Sequence, residues 1–176
     1  ASGFDGAKPL CVEARLQEWN RTMKNFEVAV VGAGLAGQIA ALAIARAGRN
    51  VALIAPQSER TDRRTTALMD QSIRFLDRLG VWSKIEPSAA RLSTMQIIDG
   101  TDRLLRAPTV AFRSSEIGLA AFGWNMPNSA LLSVLSQAVA QENNITLVDA
   151  SVDTVEVGSH DVSLMLTNGE TVSSTF

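Results

Sequence analysis

The sequence has few of the residues on which many catalytic and structural sites depend. It contains one cysteine, Cys11, one histidine and no tyrosine. A single cysteine excludes an internal disulfide framework and is typical of a reducing compartment, so we expect a cytoplasmic protein. One cysteine and one histidine also exclude a Cys/His zinc cluster, and we expect no metal site. The lack of tyrosine excludes a catalytic Tyr–Lys pair.

Long apolar runs and an excess of one charge are absent as well. The alanine-rich segment is too short to cross a bilayer and is interrupted by Arg46 and Gly48. The formal net charge of -2 gives no electrostatic reason to expect a nucleic-acid partner. With 46% hydrophobic and 19% charged residues, the 176-residue chain has the composition of one globular domain rather than of a disordered segment.

Residues 26–55 carry the clearest motif of the sequence. A short apolar, β-branched run of the kind found in buried parallel strands leads into Gly32, Gly34 and Gly37, which have the spacing G-x-G-x-x-G. In this spacing the first glycine permits a tight turn and the second lets the backbone approach a pyrophosphate. The third glycine lets the following helix pack on the strand. The motif therefore predicts a dinucleotide-binding turn.

The segment after the glycines supplies the context that this motif requires. Small alanine side chains repeat along the predicted helix and permit close packing on a sheet, and Gly48 is a natural helix end. Residues 51–55 then form a second apolar strand. The free N–H groups and the dipole at the start of the helix favour a phosphate anion. Strand, turn, helix and strand thus follow in the order of a nucleotide-binding βαβ unit.

The end of the second predicted strand departs from the dinucleotide-binding pattern. An acidic residue normally binds the ribose hydroxyls there, whereas this sequence has Ala55. Arg60, Arg63 and Arg64 follow a few residues later. Two interpretations stay open: the arginines form a 2′-phosphate site for NADP, or one of them lies over the pyrophosphate of a flavin dinucleotide.

The rest of the chain predicts further elements around this unit. Helices are expected over residues 67–79 and 128–142, and Asn128 is a good N-cap for the second. The expected strands cover residues 95–98, 104–105, 116–122, 145–148 and 151–157, followed by a hairpin over residues 161–174 with its turn at Asn168 and Gly169. The predicted fold class is α/β, with a Rossmann-like parallel sheet, an antiparallel β excursion and a C-terminal β-hairpin.

Three further segments, taken with the glycine motif, resemble one family. They are RTTAL at residues 64–68, LGVW at residues 79–82 and GWNMPN at residues 123–128. In this order they resemble the flavin-dependent aromatic hydroxylases of the para-hydroxybenzoate hydroxylase type, and most of all the ubiquinone-biosynthesis hydroxylases. The resemblance covers about residues 26–176 and implies FAD as the cofactor.

The resemblance also implies which residues bind FAD. They are Gly32, Gly34, Gly37, Arg64, Asn128 and Val152. The glycines would hold the pyrophosphate and the arginine would lie over the cofactor. The asparagine would lie near the flavin, and the backbone of the valine would approach the adenine. No side chain is identified as a catalytic acid or base, so the catalytic residues stay unassigned.

The activity implied by the resemblance is hydroxylation of an aromatic ring, with NAD(P)H as co-substrate of the full-length enzyme. The substrate would be a small aromatic compound or a quinone precursor, with ubiquinone biosynthesis as one setting. Members of the family continue beyond such a hairpin, so we expect residues 23–176 to be an FAD-binding domain that is incomplete at its C-terminus. Residues 1–22 are expected to be a flexible leader or an added extension.

Two other functions stay open at this point. The first is an NADP-binding dehydrogenase or reductase domain, which the missing acid at Ala55 and the three arginines favour. The second is a truncated, non-catalytic fragment that self-associates as a homodimer through an open sheet edge. For the full-length enzyme, peripheral association with a membrane stays open as well.

Overall fold

The computed structural model describes residues 23–57 and 62–176, and within them the chain forms twelve strands and four α-helices. The strands are β1 (Met23–Phe26), β2 (Val28–Val31), β3 (Val51–Ile54), β4 (Thr65–Met69), β5 (Ala90–Leu92), β6 (Thr94–Ile97), β7 (Val110–Arg113), β8 (Gly123–Pro127), β9 (Ile145–Val148), β10 (Val152–Val157), β11 (Val162–Leu166) and β12 (Thr171–Ser174). The helices are α1 (Leu35–Arg46), α2 (Asp70–Arg78), α3 (Trp82–Ile85) and α4 (Asn128–Ala140). The expected extension of residues 1–22, with Cys11, and the arginine at position 60 lie outside the described residues.

The centre of the fold is a three-stranded parallel sheet in the order β2-β3-β9. β2, α1 and β3 form the βαβ unit that the sequence predicts, and β9 pairs with β3 so that Ile54 lies opposite Val148. Gly48 follows the end of α1 with a φ of 86°, a left-handed conformation that glycine adopts readily. The predicted Rossmann-like parallel sheet is therefore confirmed.

β3 is fully buried because both faces of the parallel sheet are covered. Val51 and Leu53 belong to a core with α1, α2, α3 and α4, whereas Ala52 and Ile54 belong to a second core with β11 and β12. This division follows from the geometry of a strand, in which successive side chains point to opposite faces. The helices thus cover one face of the sheet and a second sheet covers the other.

The second sheet has the strand order β1-β12-β11-β10. β10, β11 and β12 are antiparallel neighbours, whereas β1 is parallel to β12. The turn between β11 and β12 contains Gly169 with a φ of 83°, so the predicted C-terminal hairpin is confirmed. After β12, the backbone of Phe176 pairs with Glu27 and Ala29 through hydrogen bonds of 3.2 and 2.9 Å. The chain therefore passes along the outer edge of β2.

The predicted antiparallel excursion is present as two small sheets, β4-β8-β5 and β6-β7. One part of the sequence prediction is wrong here, because the helix expected over residues 67–79 begins only at Asp70. Residues 65–69 form β4, which pairs with β8 so that Thr66 lies opposite Met126. Exposed and half-buried residues alternate along β4, which is the period of a strand rather than of a helix.

The strands expected at residues 104–105 and 116–122 are also wrong. Leu104 and Leu105 lie in an irregular loop that the Asp99 carboxylate closes by accepting hydrogen bonds of 3.0 Å from the amides of Thr101 and Ala107. These two amides hold the pKa of Asp99 below its usual value. Residues 114–117 form a short 3₁₀ turn, and the strand that follows is β8.

Candidate functional site

The glycine turn lies at the carboxyl end of β2, beside the end of β3. Gly32 has a φ of 101°, and its amide donates a 2.8 Å hydrogen bond to the carbonyl of Ile54, which ties the turn to β3. A Cβ at Gly37 would lie 1.8 Å from the carbonyl oxygen of Gly32, so the contact between helix and turn requires glycine at this position. The first and third glycines therefore fulfil the structural roles that the motif predicts.

The N-terminus of α1 faces the same edge of the sheet. Its N-cap is Gly34, which makes no side-chain capping bond, and the first turn of the helix has no acidic residue. The first amides of a helix have no partner within the helix, and they carry the positive end of its dipole. A Cβ at Gly34 would meet no protein atom within 4 Å, so the space beside the turn is open.

A cleft of about 840 Å³ opens beside this turn, at the carboxyl ends of β2, β3 and β9. It is lined by Gly32, Ala33, Gly34, Gln38, Leu53, Ala55, Pro56, Gln57, Asp62, Ser129, Leu132, Ser136, Leu147, Val148 and Asp149. Open parallel sheets bind their ligands at this edge, and the volume is within the usual range for cofactor sites. None of the lysines and arginines that the structure describes is among the lining residues.

Gln38 fixes the position of the turn relative to α4. Its side chain is buried, and its Nε2 donates a 2.8 Å hydrogen bond to the carbonyl of Ala33. The hydroxyl of Ser136 on α4 donates to Oε1 of the same side chain at 3.1 Å. Both polar ends of this buried amide are therefore satisfied, as buried polar groups require. A single glutamine in an apolar helix carries no motif, so this role of Gln38 could not be predicted from the sequence.

A second group of polar residues lies at the rim of the cleft around Asp62. Arg64 donates to both carboxylate oxygens through Nε at 2.9 Å and Nη2 at 2.8 Å, and the amide Nδ2 of Asn128 donates to Oδ2 at 2.9 Å. Thr66 donates its hydroxyl proton to Oδ1 of Asn128. The Arg64 guanidinium and the Asn128 amide hold the pKa of the Asp62 carboxyl well below its usual range.

The structure brings two of the predicted cofactor ligands, Arg64 and Asn128, together through Asp62, but neither side chain lines the cleft. The Arg64 side chain is 82% exposed, whereas Asn128 is buried. The interpretation of Asn128 as an N-cap is wrong: Pro127 is the N-cap of α4, and the Asn128 side chain bonds to Thr66 and Asp62 instead. Val152, the remaining predicted ligand, lies at the start of β10, where it is half-buried and outside the cleft lining.

Asp149 is a lining residue that the sequence analysis missed. It follows β9 directly, and its Oδ1 accepts a 2.9 Å hydrogen bond from the backbone amide of Gln57. The amide of Ala55 donates a 3.1 Å hydrogen bond to the carbonyl of Val148. The carboxyl ends of β3 and β9 therefore lie side by side at the same edge of the sheet. The signal in the sequence was an acid directly after a strand of the parallel sheet.

Comparison with known families agrees with this geometry. The family model described as FAD binding domain matches residues 25–164. The chain belongs to the FAD-binding domain family. This match confirms the resemblance to flavin enzymes and covers the glycine turn, the cleft and most of both cores.

Solved structures of this FAD-binding fold are similar to the chain over most of its length. They include PqsL, a probable FAD-dependent monooxygenase from Pseudomonas aeruginosa (15% identity, 86% of this chain and 41% of PqsL, TM-score 0.68). p-Nitrophenol 4-monooxygenase PnpA from Pseudomonas putida DLL-E4 has 18% identity over 88% of this chain and 40% of its own, with a TM-score of 0.68. The flavin-dependent monooxygenase PieE, solved with FAD and substrate, has 22% identity over 87% of this chain and 29% of its own, with a TM-score of 0.71.

The chain therefore spans less than half the length of these monooxygenases. No curated protein matches the sequence. None of the helices in residues 23–57 and 62–176 is long and apolar enough to cross a membrane. In the same part of the chain, no three His, Cys, Asp or Glu side chains are grouped so as to hold a metal ion.

Proposed function

We propose that this FAD-binding domain holds the diphosphate of FAD at the turn formed by Gly32 and Gly34. The observation that carries the proposal is that this turn and the uncapped N-terminus of α1 open onto the cleft. Backbone amides at a helix N-terminus suit a diphosphate, and the absence of acidic side chains in the first turn leaves that anion unopposed. Gly37 supports the site indirectly by allowing α1 to pack against the turn.

Arg64, Asn128 and Val152 complete the proposed set of cofactor ligands. Arg64 is an exposed cation at the rim of the cleft, suited to an anionic oxygen because its guanidinium is permanently charged. Asn128 is fixed by Thr66 and Asp62 at the beginning of α4, which also contributes lining residues. Val152 would act through its backbone, because its side chain packs against the second core.

For the whole protein we propose a flavin-dependent monooxygenase that hydroxylates a small aromatic compound or a quinone precursor, with NAD(P)H as co-substrate. Support comes from the similarity to PqsL, PnpA and PieE, whose names identify monooxygenases and, for PnpA, a phenolic substrate. Bound FAD would supply the redox chemistry with O₂, and the residues of this chain would bind and orient it. The single cysteine supports a reducing, cytoplasmic setting.

Titration of the purified chain with FAD tests the proposal. We expect saturable quenching of flavin fluorescence, and competition by ADP because the diphosphate and adenosine would occupy the cleft. NADPH is the matched competitor for the alternative function. Saturable binding of NADPH without any binding of FAD would replace the proposal with an NADP-dependent reductase domain, and binding of neither cofactor would contradict both functions.

A further inference from the structure

We infer that Asp149 binds the ribose hydroxyls of the adenosine and selects against a 2′-phosphate, in place of the acid that β3 lacks. This inference rests on the proposed binding of FAD in the cleft. The position after β3 is occupied by Ala55, whose methyl side chain cannot accept a hydrogen bond. An acid on another element at the same edge of the sheet can take this role.

The topology of the sheet brings Asp149 to this edge. β9 is the parallel neighbour of β3, and paired strands lie about 4.8 Å apart. Val148 lies opposite Ile54, so Asp149 occupies on β9 the position that Ala55 occupies on β3. Compared with the usual position of the acid, Asp149 therefore lies on the neighbouring strand at the same distance along the strand direction. Both residues line the same cleft.

The backbone of the segment that follows β3 holds the Asp149 side chain in place. The amide of Gln57 donates a 2.9 Å hydrogen bond to Oδ1, which draws the carboxylate toward the chain that leaves β3. Among the described residues, hydrogen bonds reach only Oδ1, and the residue is exposed to the cleft solvent. An ionised carboxylate has lone pairs on both oxygens, so it can accept further hydrogen bonds from hydroxyl groups.

Asp62, the other carboxylate among the described residues that line the cleft, is less suited to this role. Both oxygens of Asp62 already accept hydrogen bonds from Arg64 and Asn128. Asp149 has no cationic partner among the ion pairs of the described residues. A ribose with two free hydroxyls would donate to it, whereas a 2′-phosphate would meet a like charge.

Binding measurements with adenosine ligands test the inference on the intact chain. Isothermal titration compares ADP with 2′-deoxy-ADP, and AMP with adenosine 2′,5′-bisphosphate. We expect the wild-type chain to prefer ADP over 2′-deoxy-ADP by about tenfold, since a hydrogen bond to a charged group has roughly that effect. Asp149→Ala should weaken ADP binding by about tenfold and remove this preference. Asp149→Asn, which keeps an acceptor for the Gln57 amide, should improve the binding of the 2′,5′-bisphosphate relative to AMP.

Asp153→Asn is the matched control, because Asp153 is an exposed acid on β10 outside the cleft lining. It should leave all four affinities unchanged, and thermal melting of each variant checks that it is folded. If the wild type binds ADP and both Asp149 variants keep its affinity and its preference for the 2′-hydroxyl, the inference is wrong while the proposed FAD site stands. If the wild type binds neither ADP nor FAD, the proposed function fails and the inference fails with it.

Discussion

A Cβ atom added at Gly37 would lie 1.8 Å from the carbonyl oxygen of Gly32. At Gly37 the start of α1 therefore lies directly against the backbone of the turn after β2. The amide of Gly32 also donates a hydrogen bond to the carbonyl of Ile54 on β3. Gly32 therefore holds the turn against both α1 and β3. The position of the proposed diphosphate site thus depends on glycine, with no side chain, at position 37.

Gly37→Ala should destabilise the protein by about 3 kcal/mol, the upper part of the range for overpacking, because the obstructing atom is backbone and cannot rotate away. Chemical denaturation followed by circular dichroism measures this loss. An unchanged midpoint would show that α1 can move away from the turn without loss of packing.

Gly34→Ala is the matched substitution in the same turn, with the opposite expected result. Gly34 has φ of -73° and ψ of -175°, which alanine adopts without strain, and the new methyl group meets no protein atom within 4 Å. Stability should stay within about 0.5 kcal/mol of the wild type. Affinity for FAD should fall roughly tenfold, because the methyl group would occupy space that the diphosphate approaches. Undiminished FAD affinity in this variant would place the diphosphate elsewhere.

Arg64→Ala tests the prediction that this arginine contacts the cofactor. We expect FAD affinity to fall by about tenfold, the usual effect of losing a charge-assisted hydrogen bond. Arg63→Ala is the control, since Arg63 is exposed and adjacent but has no role in the proposed site. Equal effects of the two substitutions in the FAD titration would reduce the role of Arg64 to a general electrostatic attraction.

Asn128→Asp should make stability depend on pH in a way that differs from the wild type. The wild-type Asp62 carboxyl has a lowered pKa, so its contribution is complete above the unfolded value of about 3.9 and is lost as the pH falls through the folded value. In the variant a second carboxylate would lie beside Asp62, which raises the pKa of one of the two groups. Repulsion is then present at pH 7 and is relieved by protonation.

Melting temperatures from pH 4.5 to 8 measure this effect. The variant should melt about 3 °C or more below the wild type at pH 7, and the difference should shrink toward pH 4.5. Asn128→Ala, which adds no charge, should show a loss that is constant between pH 5 and 8. Parallel pH profiles for the two variants would show that Asn128 and Asp62 do not interact in solution.

The sequence predicted the βαβ unit and its turn because all of their signals are local. The spacing of three glycines, the apolar run before them and the stop at Gly48 are read within about thirty residues. The hairpin around Gly169 was predicted for the same reason. In contrast, the sequence predicts a helix for residues 67–69 of β4, because the partner strand β8 lies more than fifty residues later in the chain. Its strand character depends on that pairing as much as on its own residues.

The cleft could be predicted only in part. Gly32 and Gly34 line it as expected, but Gln57 and Asp149 are separated by 92 positions in the sequence, and only the pairing of β3 with β9 brings them together. The usual pattern places the ribose-binding acid at the end of the strand that corresponds to β3, so it does not predict an acid after β9. Leu104 and Leu105 show the opposite error, since an apolar pair suggested a strand where the Asp99 side chain closes a loop.

The central claim is that a diphosphate binds at the N-terminus of α1, and amide chemical-shift mapping with ADP tests it most directly. In a ¹⁵N-labelled chain, we predict the largest shifts for the amides of Gly34 and Leu35, with smaller shifts at Asp149 and none at Leu104. Saturable ADP binding with shifts confined to another surface, such as β6 and β7, would contradict the account.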